Sequence, residues 1–555
     1  MTPRRPLTIP VVALTWLLSA AAPAAAQDPT PWQSDNGDGT YTNPVLFADY
    51  SDPDAVADGG EFYLTASSFN CVPGLPILHS RDLVNWQIVN HALPRLYDEA
   101  FDRPQHGNGV WAPSLRQHDG WFYIYWGDPD RGIYMVRTQD PRGDWSEPTL
   151  VKQAHGNIDP CPLWDDDGKV YMVHAFAHSR AGINSLLSVV ELSPDGTQAI
   201  DKGWIVYDGH GDNPTVEGPK FYKRNGYYYI FAPAGGVAEG WQLVLRSRNV
   251  RGPYEVRRVL SQGATEVNGP HQGAWVQAPD GSDWFLHFQD AGPYGRIVHL
   301  QPLRWIDNWP VIGDDADGDG EGEPVLRHAK PVTSAVVTPH GPVASDKCDG
   351  PELGLQWQWH GNPQESWASL DARQGWLRLA ATPRPAEFRN LWDTSSLLLQ
   401  KFPAPEFVAR CTLDGSDLRE GESAGMLVMG RDYAYVAVER SAKGWQVVGR
   451  RCRHADTGRE EATVAEEQLA SPCVELRVVV RDGAVCEFEY LDDGGNWQTI
   501  GPAFQAREGR WIGAKVGLFC QSPTAAEQHG HADMDRFIVE RLPPSDSAKT
   551  GTDSP

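Results

Sequence analysis

The chain has 555 residues, 41% of them hydrophobic and 10% aromatic, which is ample for several cores and too long for one. Its 73 acidic residues outnumber 48 basic ones, and a net charge of −25 repels polyanions and excludes nucleic acid as a natural partner. Neutral ligands fit better, and the 22 tryptophans suit the apolar faces of sugar rings, although most Trp in any fold is core.

At the N-terminus, Arg4 and Arg5 precede the apolar run LTIPVVALTWLLSAAA, and APAAAQ then offers small residues before a cut near Ala26. The run is shorter than the roughly 20 apolar residues of a membrane span. Residues 1–26 therefore read as a signal peptide, and no cysteine before Cys71 is available for lipid attachment at the cut. The mature protein is expected outside the cytoplasm, periplasmic or extracellular, with no membrane contact after cleavage. The cysteines (71, 161, 348, 411, 452, 473, 486 and 520) include no C-x-x-C pair, which argues against zinc and thiol redox chemistry. An oxidising compartment permits disulfides, and the group after Cys348 has room for one or two, although a domain of this size does not need them.

From about Tyr41 onward a template recurs: an acid or Trp beside a proline, then a Gly-containing turn and an aromatic strand. It begins at Asp52-Pro53, at Trp111-Ala112-Pro113, at Asp159-Pro160, at Glu217-Gly218-Pro219 and at Pro270-His271. Copies start roughly 50 to 60 residues apart, the spacing of propeller blades. SRDLVNW, TQDPRGDW and SRNVRGPY close successive units with turn residues and an aromatic, and Asp-Gly or Asn-Gly pairs mark hairpins within them. Each unit reads as strand, turn, aromatic strand and a third strand, with no long amphipathic helix. Residues 27–327 are thus expected to form a five-bladed β-propeller. The first strand of every blade lines the central channel, so Asp52, Asp159 and Glu217, at matched front positions, are expected to converge at one mouth.

DDADGDGEGEP, residues 314–324, copies the first half of a calcium loop, but the twelfth position from Asp315 is Leu326 and not the required Glu, so it reads as an acidic surface turn. Residues 328–347 read as a linker. Residues 348–542 form a second β-rich region; in VELRVVVRDGAVCEFEYLDDGGNW, Asp482-Gly483 makes a turn and Cys486, Phe488 and Tyr490 alternate with Glu487 and Glu489. One buried and one solvated face imply a β-sandwich. Residues 543–555 read as a disordered tail.

The motifs YTNPVLFADYSDPDAV, GVWAPSLR, NIDPCPLWDDDGKVYM, VEGPKFYKRNGYYYIF and GPHQGAWV with YGRIVHLQPLRW, in that order, resemble glycoside hydrolase family 43. LGLQWQWHGNP, LLLQKFPAPEF and AGMLVMGRDYAYVAV resemble the concanavalin-like, jelly-roll sandwich of the family's β-xylosidases. The resemblance implies Asp52 as general base, Asp159 as the acid that modulates and orients, and Glu217 as general acid. It implies Arg296, Trp111, Phe69 and Trp511 at the sugar. It places His271 beside a channel that in some members holds calcium, with no cofactor required. Asn70-Cys71 departs from the bulkier or charged pocket residues of many relatives, which leaves subsite preference open.

The bland readings compete. Asp-Pro singly is a common turn, His271 alone is a hydrogen-bonded core histidine, and Trp111 serves equally as core. Three acids in one repeat pattern, with Glu217 at an apolar strand start, outweigh them. Glu217 is expected to be partly desolvated and protonated while Asp52 is ionised. The expected function is inverting, exo-acting removal of terminal pentosyl residues from neutral xylan or arabinoxylan fragments, with β-1,4-xylosidase first and α-L-arabinofuranosidase second. A retaining fructan hydrolase lacks its NDPN and RDP motifs here; a non-catalytic carbohydrate-binding propeller has no reason to keep three acids.

Overall fold

The computed structural model describes residues 30–332, 337–523 and 529–542. The expected signal peptide and tail lie outside the described residues, as does part of the expected linker. Among the described residues no helix is long and apolar enough to cross a membrane.

Five four-stranded antiparallel sheets follow one another along the chain and form the blades of a propeller. Their inner strands are Asp54–Asp58, Trp111–His118, Asn157–Trp164, Lys220–Arg224 and His271–Gln277. The hairpins form where the turn pairs predicted them: Asn225 and Gly226 take positive φ between Lys220–Arg224 and Tyr227–Ala234. Each blade also has a fourth, outer strand beyond the three expected, such as Trp86–Leu93 and Thr149–Gln153. The three closing motifs are the turns that lead into these outer strands.

A repeat alone does not close a ring. Here Thr40–Thr42 pairs with Arg327–Ala329, and Leu46 exchanges backbone hydrogen bonds with Val298 of blade five. Asn43, buried, is the clasp: its amide donates to the carbonyls of Leu300 (2.8 Å) and Val325 (2.7 Å), and its carbonyl accepts from the Leu300 N–H at 2.8 Å.

The second region is a sandwich of two sheets, antiparallel except where Thr382–Pro383 pairs in parallel with Lys515–Ser522, and it spans residues 358–541. Between them lies one apolar core that includes Leu377, Met426, Val478, Phe488 and Val516, and it continues into Tyr294 and Ile297 of the propeller. The predicted alternation holds: Cys486, Phe488 and Tyr490 are buried, while Glu487 and Glu489 pair outward with Arg481 and Arg477. All eight cysteines are free, seven of them buried, so the disulfides for which the group after Cys348 had room are not formed. The cores are large enough to hold without cross-links.

Removing the Asn43 side chain takes their side-chain partner from the buried Leu300 N–H and the half-buried Val325 carbonyl, while the Leu300 carbonyl keeps the Tyr41 hydroxyl at 2.8 Å. Asn43→Ala is expected to lower stability by about 2–4 kcal/mol, read as a shift of the urea midpoint; an unchanged midpoint would mean that closure does not depend on this clasp.

Candidate active site

Every inner strand begins with a kink. Asp52 (φ 55°), Ala112 (36°), Asp159 (56°), Gly218 (56°) and Gln272 (35°) all take positive φ, four of them directly before a proline. In blade five Gly273 stands in place of the proline, and a Cβ there would sit 1.6 Å from the Leu286 carbonyl oxygen. Register slips at the same point in blades two, three and five, as at a β-bulge. The kink turns two successive side chains of a blade toward the mouth instead of one. Trp111 with Ala112, Ile158 with Asp159, and His271 with Gln272 all line the same pocket.

This frame corrects one sequence expectation. Asp52 and Asp159 occupy the kink itself, whereas Glu217 stands one residue earlier, level with Trp111, Ile158 and His271. The three acids are therefore not at matched positions. They still converge, because the kinks of blades two, three and five bring both positions to the mouth, and Asp52 and Glu217 line it from blades one and four.

The pocket has a volume of about 490 Å³, and every site residue picked from sequence lines it: Asp52, Phe69, Trp111, Asp159, Glu217, His271, Arg296 and Trp511. Asp52 Oδ2 accepts from Ser67 Oγ (2.6 Å) and Ser51 Oγ (2.8 Å), and Arg296 Nη1 lies 3.3 Å from Oδ1. Ser67 Oγ also accepts from the Ala112 N–H at 2.7 Å, which ties blade one to blade two. Asp159 Oδ2 accepts from the Gly218 N–H at 2.7 Å. Burial and the neighbouring Glu217 carboxylate push the Asp159 pKa well above the usual range, against the lowering effect of the Gly218 bond. Glu217 Oε1 lies 3.2 Å from His271 Nε2.

Asn70 and Cys71 do not line the pocket. They face the second domain, where Asn70 donates to the His360 carbonyl at 2.9 Å and Cys71 accepts from Lys515 Nζ at 2.9 Å. Sequence reasoning missed Ser51, Ser67, Ile158, Val237 and Gln272; the kink register, had it been recognised, would have found Ile158 and Gln272.

Among the described residues no cluster of three His, Cys, Asp or Glu ligands surrounds His271, and its Nδ1 is buried without a hydrogen-bond partner. Its Nε2 faces Glu217, and the channel carboxylate of Asp54 is already held by Arg116 (2.7 Å) and Lys220 (3.5 Å). Asp315, Asp317 and Asp319 bring their oxygens together in the acidic surface turn, away from this pocket.

The sandwich completes the pocket. Trp511, 45% exposed and with φ 67°, lies edge-on to Trp111 with ring centres 6.1 Å apart, and Trp111 meets Phe69 at 6.3 Å. Asp49 fixes this arrangement: Oδ1 accepts from the Arg296 N–H (2.9 Å) and Oδ2 from the Gly513 N–H (3.0 Å).

Clustered carboxylates and an arginine in an aromatic-rimmed pocket, at the channel mouth of a propeller, define a glycoside hydrolase. The chain belongs to glycosyl hydrolases family 43: that family's model matches residues 41–310, and the β-xylosidase C-terminal concanavalin A-like domain matches residues 345–540. A putative β-xylosidase of Xylanibacter ruminicola is 40% identical over 87% of this chain and 86% of its own length. A non-reducing-end α-L-arabinofuranosidase of Bacteroides ovatus is 32% identical over 73% of this chain and 77% of its own. A xylan β-1,4-xylosidase structure from Bacillus halodurans C-125 shares the fold, with a TM-score of 0.79 and 24% identity over 90% of this chain and all of that one (100%).

The raised Asp159 pKa has a sign that can be tested. The unfolded chain releases this proton near pH 4, while the folded chain retains it, so this group's contribution to stability falls as pH rises from there through the folded pKa. Asp159→Asn is expected to have a higher Tm than the parent at pH 7, with the gap closing below about pH 4; a gap that does not vary with pH would contradict the assignment.

Proposed function

We propose that the enzyme is exported and removes single terminal pentosyl residues, β-xylosyl first, with inversion at the anomeric carbon. The observation that carries this reading is the small pocket into which blades one, three and four project Asp52, Asp159 and Glu217, and which Trp511 of the second domain narrows. A pocket whose mouth Trp511 narrows takes a chain end, and not the middle of a polymer.

Glu217 is assigned as the general acid that protonates the glycosidic oxygen. Asp52 is the base: it takes a proton from the water that attacks the anomeric carbon from the opposite face. The two serine hydroxyls and Arg296 hold Asp52 in place, so that its carboxylate need not reorganise as the water approaches. Asp159 pins the turn after Glu217 by accepting from the Gly218 N–H. After one turnover Glu217 is ionised and Asp52 protonated, and exchange with solvent resets both. His271, within reach of Glu217, is a positioning residue in this scheme. The relative named as an α-L-arabinofuranosidase supports that activity as a second reading.

A panel of nitrophenyl pentosides, with NMR of the first product formed, tests the proposal. Release from the β-xyloside with an inverted initial anomer is expected; release only from the α-L-arabinofuranoside would favour the second reading, and none at all would favour a binding module. Asp52→Asn and Glu217→Gln are each expected to lower kcat by at least about 10³-fold with the fold intact, and near-normal turnover would refute the assigned role. Trp511→Ala is expected to raise KM roughly fivefold to tenfold with a smaller effect on kcat.

A further inference from the structure

We propose that a second, polar cleft beside the pocket receives an acidic sugar, a hexuronosyl residue carried on the leaving-group side of the substrate, with Arg431 and Arg510 as its carboxylate ligands. The proposal rests on the pentosidase reading, which defines which side leaves.

The cleft has a volume of about 810 Å³ and lies between the propeller loop of Gln105 to Asn108 and the sandwich residues Arg389, Trp392, Arg431 and Arg510. It shares no lining residue with the pocket, but chain neighbours line the two. Arg510 is the chain neighbour of Trp511, and Gly107, whose carbonyl accepts from Trp111 Nε1 at 2.9 Å, runs between the two spaces. A Cβ at Gly107 would come within 2.7 Å of the Arg510 side chain. A saccharide whose terminal ring fills the pocket therefore extends across Trp511 into this cleft.

Its walls differ in kind from those of the pocket. Three arginines face it in a chain whose net charge is −25. Arg389 is committed, with Nε 3.0 Å from Asp393 Oδ2 and Nη2 2.6 Å from Oδ1. Arg431 reaches Glu508 only at 3.5 Å, and among the described residues Arg510, exposed, has no ion-pair partner. Asp456 is the remaining carboxylate on the lining, and it too is exposed. His106 adds no charge: burial against Trp392, with ring centres 3.6 Å apart, drives its pKa down to about 4. Two guanidinium groups without strong partners, in a protein that repels anions elsewhere, make a local site for a carboxylate, which a guanidinium can grip through two parallel hydrogen bonds. A neutral sugar would leave these donors to water.

The experiment compares kcat/KM for a xylo-oligosaccharide that carries one glucuronosyl branch next to its terminal xylose with that for the same oligosaccharide unbranched. Wild-type enzyme is expected to favour the branched substrate about tenfold, a preference that Arg510→Gln with Arg431→Gln abolishes and that about 0.5 M NaCl weakens. A branched-to-unbranched ratio at or below one in the wild type, or a ratio that the double variant leaves unmoved, would overturn the proposal. Nitrophenyl β-xyloside and α-L-arabinofuranoside are run in parallel. If neither is hydrolysed, the pentosidase reading fails and takes the cleft with it; hydrolysis of either with an unmoved ratio rejects the cleft alone.

Discussion

A backbone conformation that L-residues avoid stands at the head of every blade, and the site depends on it. An extended strand sends alternate side chains to opposite faces, so an inner strand that began regularly would offer the mouth one residue and bury the next. The positive φ at Asp52, Ala112, Asp159, Gly218 and Gln272 breaks that alternation. Such backbone costs of order 1 kcal/mol or more per residue unless its surroundings impose it. Here hydrogen bonds from neighbouring blades supply the restraint: Ser67 Oγ binds the Ala112 N–H, and Asp159 binds the Gly218 N–H. The side chains that hold the kinks are in part those that line the pocket, so strain and site share one network.

Much of the rest was legible in sequence because it is local. Proline after the kink, Asp-Gly and Asn-Gly turns and alternating strands such as Val485–Leu491 are short-range signals, and they predicted the blades and the sandwich hairpin. The outer strands were not legible. Trp204–Asp208 and Glu255–Leu260 are mostly partly exposed and show no clean alternation, because each pairs on one side only within its blade. The one-residue offset of Glu217 was hidden for a different reason: φ is not written in a Glu-Gly-Pro string, and only comparison with Asp52-Pro53 in space reveals which residue bends. Ser51 and Ser67 carry no chemical signature of their own and matter only through Asp52.

The second domain contributes to the site because backbone groups fasten the domains together. Val72 and Trp359 exchange hydrogen bonds of 3.0 and 2.6 Å, the Ala514 N–H donates to the Pro293 carbonyl at 2.7 Å, and the Tyr294 hydroxyl accepts from the Ala484 N–H at 2.7 Å while donating to the Pro405 carbonyl at 2.9 Å. Such bonds have fixed geometry and allow little sliding. Asp49 then links this seam to the chemistry, since one carboxylate holds both the Arg296 backbone and the loop that carries Trp511. A shift of the sandwich would move the guanidinium that faces Asp52 as well as the aromatic rim.

Beneath the acids the channel is blocked by charge and not by hydrocarbon. Asp54, fully buried, binds Arg116 and the Leu115 N–H and lies 3.5 Å from Lys220, whose ammonium donates to the Pro113 carbonyl at 2.6 Å; Cys161 accepts from Arg116 and from the Phe221 N–H. Two cations against one carboxylate leave a surplus of positive charge below three acids, and Lys220 acts to lower the very pKa that burial and Glu217 raise at Asp159. A hydrocarbon plug would have left the acids without that compensation, in a medium where like charges repel most strongly. The ionic floor therefore does two things with the same atoms: Arg116 and Lys220 hold the buried Asp54 carboxylate, and Lys220 opposes the rise in the Asp159 pKa.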